Sequence, residues 1–418
     1  MQQPTVQEHL RAYWQWRMRV SVAIKELGGW LEANQCATRA SSTCIEAALA
    51  AMRADRLNIA FVSRGGRAKS ALIEGLFRDE EGHGLLPAYP GSATTCTTEV
   101  CWDPESEGPC LRLLPIETQG LGIPFSRLRA ERGYWIQHPL NPQDPAQTAS
   151  RLREIAETKT VPHTQAVTLG LTGSQERPWP ASGTAEIPKW RHAIVSFPSP
   201  LLRLGLAVLD IPKRAPSEVA ACLLGQAQVV VWVLTADEAI EKEDAELLCR
   251  HLRRAGSPHR QRLIVALDRV DPRLDQVEDP SEIRQIIQRH LAAAHGIAAA
   301  EVLALSAQTA LVARLRGDQA LLRRTGIETL EARILTSLLQ AKQQAHIDGL
   351  QGGLNRMLEE HRARVGAALD RAKKRLGQLE ACRVKCNALI VELLDRTRHE
   401  QELHLRAVQR FQESQEEL

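Results

Sequence analysis

The sequence predicts an α/β fold: a mostly parallel sheet with helices on both faces. Continuous apolar runs ending at or just before Asp, Pro or Thr suit strands buried on both faces. These runs are LNIAFV (57–62), GLAVLDIP (205–212), VVVWVL (229–234) and LIVALD (263–268). Segments with helical periodicity lie between them, as in residues 243–255 and 279–296. This alternation of strands and helices predicts an α/β domain over about residues 56 to 310.

Helical segments are predicted on both sides of this domain. Apolar residues recur at helical spacing in the N-terminal part, at Leu10, Trp14, Met18, Val22 and Ile24 and again at Ile45, Leu49 and Met52. From Glu328 onward the pattern is helical, with an interruption expected around Gly352-Gly353. We therefore predict N-terminal helices at 1–55, the α/β domain at 56–325, and a C-terminal helical region at 326–418; the family resemblance given below implies that these helices form a neck and a partial stalk.

An apolar seam of roughly 3.5-residue spacing runs along the C-terminal helical region. Its members are Val365, Leu369, Ala372, Leu376 and Leu379, set among Arg, Lys and Glu. Such a seam is typical of a coiled coil. We expect it to pack on the chain's own N-terminal helices, with self-assembly as the alternative.

Composition limits the class of protein. The chain has 418 residues, 44% of them apolar, and 53 basic residues against 50 acidic ones. Net charge therefore gives no nucleic-acid signal. The N-terminus lacks a secretory apolar core, no run approaches the ~18 apolar residues of a membrane span, and nine cysteines fit reduced thiols, so we expect a cytoplasmic protein. The spacing of Cys96, Cys101 and Cys110 does not favour zinc.

The stretch SRGGRAKS (63–70) follows the first predicted strand and opens a predicted helix, as a phosphate-binding loop GxxxxGK[ST] does. Lys69 would place a positive charge on the β- and γ-phosphates, and the Ser70 hydroxyl would bind Mg²⁺. Ser63 and Ala68 replace the two outer glycines of the pattern, so a basic turn before an ordinary helix is the alternative. The candidate phosphate-binding residues are Gly65, Gly66, Arg67, Ala68, Lys69, Ser70 and Ala71.

Three further motifs follow in the order expected of a GTP-binding domain. Asp210 ends the strand LAVLD, where a carboxylate would lie near Mg²⁺ and the γ-phosphate. The stretch LDRVD carries Asp268, Arg269 and Asp271 at the positions of [NT]KxD, which reads guanine. Ser306-Ala307 then corresponds to a backbone clamp on the guanine carbonyl. Ligands of open α/β sheets bind at the strand ends where these motifs lie.

The chain resembles the bacterial dynamin-like GTPases. GSATTCTTEV is similar to their first switch segment, FPSPLLRLGLAVLD to their PxPLLxxGLxxLDTPG segment, and LSAQTALVARLRGDQALLRRTGIETLE to a later one. The similarity runs from about residue 10 to at least residue 340. It implies a P-loop GTPase fold of the dynamin type with GTP or GDP and Mg²⁺ as ligands. By position, Thr94 would be a second Mg²⁺ ligand, and Lys69, Thr94 and Asp210 would support hydrolysis.

Each motif departs from the family pattern. A non-glycine residue where φ is positive costs about 1–2 kcal/mol, which bears on Ser63 and Ala68. Lys213 replaces the glycine after the third motif. Asp268 replaces Asn or Thr, and a carboxylate cannot donate a hydrogen bond to guanine N7. Several such losses would take a micromolar site toward millimolar affinity.

Two hypotheses from different classes follow. The chain is a dynamin-like GTP-binding protein with impaired hydrolysis, or a pseudo-GTPase that acts as a scaffold or as the heterodimer partner of an intact relative. The resemblance implies homo- or heterodimerisation through the GTPase domain. It offers association with a membrane surface only by analogy, because no apolar paddle or basic amphipathic helix is visible.

Overall fold

The computed structural model describes residues 6–53, 56–63, 66–77, 86, 96–171, 183–212, 215–235, 262–269 and 301–416. The chain divides into two compact units. One comprises residues 1–27 and 47–349, and the other comprises residues 28–46 and 350–418. The predicted helical segments 243–255 and 279–296 lie outside the described residues.

Eleven strands are present among the described residues. They are β1 Leu57–Ser63, β2 Thr97–Cys101, β3 Cys110–Pro115, β4 Ile136–Pro139, β5 Thr158–Pro162, β6 Thr184–Pro188, β7 Trp190–Ser196, β8 Leu206–Pro212, β9 Val229–Thr235, β10 Arg262–Asp268 and β11 Glu301–Ala304. Nine of them form one sheet in the order β11-β10-β9-β1-β8-β2-β7-β3-β4, and β5 pairs with β6 in a small second sheet.

The large sheet is mostly parallel, as predicted. The pairs β1–β8, β1–β9, β9–β10, β10–β11 and β2–β7 are parallel, whereas β2–β8, β3–β7 and β3–β4 are antiparallel. The most apolar strands β1, β8, β9 and β10 lie side by side, because their side chains are buried on both faces.

The α-helices among the described residues follow in chain order. They are α1 Val6–Ala33, α2 Arg39–Arg53, α3 Gly66–Phe77, α4 Phe125–Ala130, α5 Pro145–Arg153, α6 His163–Thr168, α7 Pro200–Arg203, α8 Ser217–Gln226, α9 Ala307–Arg316, α10 Gln319–Arg324 and α11 Ile327–Glu416. Short 3-10 turns occur at Ile116–Leu121, Arg132–Tyr134 and Glu154–Ala156.

Helices cover both faces of the sheet. Alternate residues of β1, such as Ile59 and Phe61, join one apolar cluster with α3 and α9, while Ala60 joins a second cluster with α8 and α4. The same alternation holds along β8, β9 and β10. The predicted α/β class with helices on both faces and flanking helices is therefore confirmed.

The N-terminal helix packs against the start of α11 within the first unit. Leu10 and Tyr13 belong to the same buried cluster as Leu335 and Leu338. Tyr13 stacks on Trp16 at 5.7 Å between ring centroids, and Trp16 lies 6.3 Å from the ring of His346. The N-terminal helix therefore contacts the first part of α11.

Two expectations about the C-terminal helix are wrong. Helix α11 is continuous through Gly352-Gly353, because the strong helix formers on either side outweigh about 1 kcal/mol per glycine. A Cβ atom on Gly353 would lie 3.1 Å from the Cys44 sulfur, so the glycine permits close packing there. The predicted seam does not pack on the N-terminal helices, since its leucines at 369, 376 and 379 are 53–61% exposed.

Candidate functional site

The first candidate motif lies between β1 and α3. Strand β1 ends at Ser63 and helix α3 begins at Gly66, so two residues separate them. Both of these, Arg64 and Gly65, lie outside the described residues, and only the backbone of Gly66 and Arg67 is described. Residues 66 to 68, predicted to be loop, form the first turn of the helix. Ala68 is a strong helix former where the pattern has glycine, which favours this earlier start.

Lys69 and Ser70 are both buried at this end of α3. Lys69 is 1% exposed, and its Nζ forms an ion pair with Oδ1 of Asp210, which is 0% exposed. Ser70 is 7% exposed, and the neighbouring Ala71 packs against the core cluster. Two charges removed from water need each other, because an uncompensated buried charge costs several kcal/mol. The structure thus brings together the lysine and the aspartate that the motifs predicted, and Ser70 follows Lys69 on the helix.

Asp210 occupies the centre of the sheet edge. Its partners in register are Phe61 on β1 and Thr98 on β2. It lies on the sheet face that α3 covers, as does Cys96, the residue before β2. Burial raises the pKa of the Cys96 thiol to about 12, and the negative charge of Asp210 acts in the same direction. The Asp210 carboxylate therefore acts electrostatically on its neighbours at this edge of the sheet, Lys69 and Cys96.

A second group of predicted residues meets at the ends of β10 and β11. Asp268 is 4% exposed, and its Oδ1 accepts a hydrogen bond from the Ala307 N–H at 2.8 Å. Ser306 donates its N–H to the Thr325 carbonyl at 2.9 Å. Arg269 is exposed and has φ +64°, a left-handed conformation that is uncommon for a residue other than glycine. Such conformations concentrate at functional sites.

Gly326 supports this second group from behind, and sequence reasoning missed it. Its φ is +74°, and a Cβ atom there would lie 2.4 Å from the Ala304 carbonyl oxygen. No side chain fits so close to a backbone atom. The turn of Thr325 and Gly326 therefore fixes the loop that carries Ser306 and Ala307. A glycine after a threonine gives no local signal of this role.

The two groups lie on one face of the sheet at its carboxyl edge. Side chains alternate between the two faces along β8 and β10, and this alternation places Asp210 and Asp268 on the face that α3 and α9 cover. Strands β8 and β10 are three strand spacings apart, or roughly 14 Å. Strands β8 and β9 flank β1, and the helices after β1 and β8 pack on opposite faces. This is the switch point where open α/β sheets bind ligands.

Other predicted site residues are not described. Thr94 and Asp271 lie outside the described residues, as does Lys213. In the described part of the chain, no group of three or more His, Cys, Asp or Glu could hold a metal ion. The donors present, the Ser70 hydroxyl and the Asp210 carboxylate, are hard oxygens. They fit Mg²⁺, which binds proteins through few groups and keeps phosphate and water ligands.

The opposite face of the sheet holds a buried charged network that sequence reasoning missed. Glu99 on β2 is 1% exposed and accepts hydrogen bonds from Arg56, at 2.8 Å, and from Arg129. Burial acts to raise the pKa of Glu99, but the two guanidinium groups outweigh it and the pKa is lowered. These partners lie 43 and 30 residues away in the chain. No local pattern could have revealed the network.

His192 lies beside this network on β7. Its Nδ1 is 2.8 Å from the Thr97 hydroxyl, and its ring meets Phe125 and Trp135 edge to face. Burial lowers the pKa of His192 to about 4. The imidazole is therefore neutral at pH 7, and its role is one of packing.

Comparisons with known proteins find similar solved structures only. No protein-family model matches the sequence, and no curated protein does. Two similar solved structures come from an oligomerised bacterial dynamin pair, reported as a mechanism for long-range sensing and tethering of membranes. They are 14% and 12% identical to this chain, each with a TM-score of 0.49, and cover 88% and 98% of it. The chain spans 59% and 65% of those proteins.

A third similar structure is LeoA, a bacterial dynamin GTPase from ETEC. Its identity is 11% and its TM-score is 0.36, with 85% of this chain and 48% of LeoA covered. No helix among the described residues is long and apolar enough to cross a membrane. Bacterial dynamins, the family that the sequence motifs resemble, are thus also the family of these similar solved structures.

Proposed function

We propose that the chain is a dynamin-like guanine-nucleotide-binding protein with weak or impaired GTP hydrolysis. The buried pair of Lys69 and Asp210 carries this proposal. It places a cation at the start of a helix, and a carboxylate at the end of the adjacent strand, at the switch point of the sheet. A structural ion pair needs no such position, whereas a phosphate site does.

In this proposal, each residue of the pair has a separate task. Lys69 leaves Asp210 to bind the β- and γ-phosphates, so nucleotide affinity is reduced by the free energy of breaking a buried pair. The Ser70 hydroxyl would hold Mg²⁺, and Asp210 would orient the ligands around it. Mg²⁺, when bound, would neutralise charge that develops on the phosphates during transfer. Thr94 completes this set by family resemblance.

The base end of the site supports weak rather than strong guanine recognition. The Ala307 N–H, which would bind the guanine carbonyl, already donates to Asp268. The Asp268 carboxylate cannot donate to guanine N7 and adds repulsion. Arg269 can lie over the base, and Asp271 would accept hydrogen bonds from its ring. A buried amide that has a partner gains little by exchanging it for a ligand.

A second candidate function is that of a pseudo-GTPase scaffold. The early start of α3 favours it, because Gly66 to Ala68 lie in the first helical turn rather than in an extended phosphate loop. The similar dynamins form an oligomerised pair that tethers membranes, and a heteromeric partner at a membrane surface is the corresponding role here. The proposed domains are the GTPase domain at 56–325 and the flanking helices at 1–55 and 326–418.

Titration with fluorescent GTP, GDP and ATP, with and without Mg²⁺, separates the two functions. Two variants make the test specific: Lys69→Ala removes the phosphate cation, and Ser70→Ala removes the Mg²⁺ ligand but keeps the ion pair. Circular dichroism of each variant shows that it is folded. An ATP titration in parallel controls for general affinity to polyphosphates.

Guanine-selective binding that Mg²⁺ strengthens and Ser70→Ala weakens would establish the nucleotide-binding function. We expect a dissociation constant between about 10 µM and 1 mM, because several losses of 1–2 kcal/mol act together. Absence of binding up to millimolar nucleotide would reject it in favour of the scaffold. Equal affinity for ATP and GTP would reject the assignment of Asp268, Asp271 and Ala307 to base recognition.

A further inference from the structure

The outer part of α11 exposes a long apolar seam. Beyond Met357, which is 4% exposed, the helix presents nearly every described side chain to solvent. From Val365 to Leu393, positions at alternating spacings of four and three residues are apolar except at Arg383. Surface leucines scattered singly need no explanation, but a contiguous exposed apolar stripe marks an interaction surface.

This seam follows a heptad repeat over about four heptads, which is enough for a coiled coil. We call residues 362–393 the α11 seam. Its core positions are Arg362, Val365, Leu369, Ala372, Leu376, Leu379, Arg383, Cys386, Ile390 and Leu393. At 1.5 Å per residue these 32 positions extend about 48 Å. The core becomes polar afterwards, at Thr397, Glu400 and His404.

We propose that the α11 seam binds the same seam of a second copy of this chain as an antiparallel coiled coil. Two copies of the seam that run in opposite directions, centred between Gly377 and Gln378, have complementary core positions. In that register Leu376 meets the partner's Leu379, and Arg383 meets the small side chain of the partner's Ala372. A two-fold interface requires this kind of self-complementarity.

The alternative parallel arrangement in register is less favourable. It places Arg383 beside its own copy in a core layer, where two like charges repel. The antiparallel arrangement avoids this contact. It also places Lys373 opposite the partner's Glu380 on both sides of the midpoint, because the e positions of antiparallel helices face each other.

Light scattering or sedimentation of the full chain, reduced and without nucleotide, tests the interface independently of the proposed function. We expect a dimer. Leu376→Glu with Leu379→Glu changes the two central layers and should give a monomer. The matched control is Val384→Glu with Val391→Glu, which adds the same charge at residues that are 64% and 58% exposed and face away from the seam. The control should remain dimeric.

A wild-type monomer at 100 µM would overturn the proposal. So would a dimer that survives the seam variant or that is lost equally in the control, because its interface would then lie elsewhere. All four substituted residues are at least 57% exposed, so the variants should fold like the wild type.

Two single charge reversals test the orientation. Lys373→Glu should weaken the antiparallel dimer about tenfold, because it places two carboxylates together at two symmetric points. Arg375→Glu should leave it nearly unchanged, since Arg375 faces the partner's Cys382 in that arrangement. In a parallel dimer the effects exchange, because Arg375 would face the partner's Glu380. Weakening by Arg375→Glu alone would therefore overturn the antiparallel assignment.

Discussion

Near the centre of the sheet, each face buries a carboxylate at almost the same place. Asp210 on β8 pairs in register with Thr98, and Glu99 follows on the same strand β2. Because side chains alternate along strands, these two acids point to opposite faces. Asp210 meets the ammonium group of Lys69, whereas Glu99 meets the guanidinium groups of Arg56 and Arg129.

This difference separates a site from a structural network. Two guanidinium groups from different elements fix Glu99 and lower its pKa in spite of burial. A ligand would have to displace both to reach it. The amine of Lys69, by contrast, lies on a flexible stem at a helix start, where, in the proposed function, a phosphate would replace the carboxylate. The type and rigidity of the cation, rather than burial, would therefore distinguish an exchangeable pair from a permanent one.

Removing one cation from each face tests this comparison. Of the changes considered, it has the largest expected effect on stability. Lys69→Met should lower the free energy of unfolding by about 3–5 kcal/mol, because Asp210 loses its buried cation. Arg129→Met should cost less than half of that, since Arg56 still holds Glu99 at 2.8 Å. Urea denaturation followed by circular dichroism measures both.

A double variant controls for packing changes in this experiment. Lys69→Met with Asp210→Asn removes both charges of the pair and should recover a large part of the loss. Equal losses for Lys69→Met and Arg129→Met would show that the two carboxylates are held in the same way. The distinction between the two faces would then be wrong.

Substitution of Gly326 tests how rigidly its turn holds the loop that carries Ser306 and Ala307. Gly326→Ala should destabilise the protein by about 2–4 kcal/mol, from positive φ and from the 2.4 Å contact with the Ala304 oxygen. Gly317→Ala is the matched control, because Gly317 has φ +67° but open space around its would-be Cβ atom. It should cost about 1 kcal/mol. Thermal unfolding of both variants separates the clash from backbone strain, and equal shifts would exclude the clash.

The features predicted from sequence are those encoded by neighbouring residues. Asp210 lies near the end of an apolar strand and Lys69 lies in the helix after one, so their place at one sheet edge follows from parallel pairing. The order of motifs likewise predicted that Asp268 and Ala307 lie at this edge, but not the hydrogen bond between them. The Glu99 network depends on residues 30 and 43 positions apart, and the early start of α3 depends on Ala68 favouring helix over loop. Such tertiary and competing local effects leave no periodic signal.

The face opposite the site predicts a dependence of stability on pH. Burial lowers the pKa of His192 to about 4, against about 6.5 in an unfolded chain. The imidazole of His192 therefore gains a proton below about pH 6.5 in the unfolded state, but only below about pH 4 in the folded state. Stability should fall through this window, by about 2 kcal/mol at pH 5. Urea denaturation at pH 7 and pH 5 measures the loss.

His192→Asn should reduce that loss while lowering stability at pH 7, because it removes the titrating ring from a packed site. His404→Asn, an exposed residue on α11, is the control and should leave the loss unchanged. An unchanged loss in the His192 variant would show that other groups cause the acid sensitivity. The network around Glu99 would then not extend to His192.

The smallest expected effect concerns Asp268, the second acid on the site face. Asp268→Ala should cost about 1 kcal/mol of stability, because the Ala307 N–H at the start of α9 loses its acceptor. Asp268→Asn keeps an acceptor at that position and should cost less. If the site binds guanine nucleotides, Asn also supplies the missing donor to N7 and removes a negative charge, so GTP affinity should rise about tenfold while ATP affinity stays constant. A fall in GTP affinity with Asp268→Asn would mean that the carboxylate itself contributes to nucleotide binding. Asp268 would then resemble Asp210, whose partner a ligand would exchange, rather than Glu99, whose role is structural.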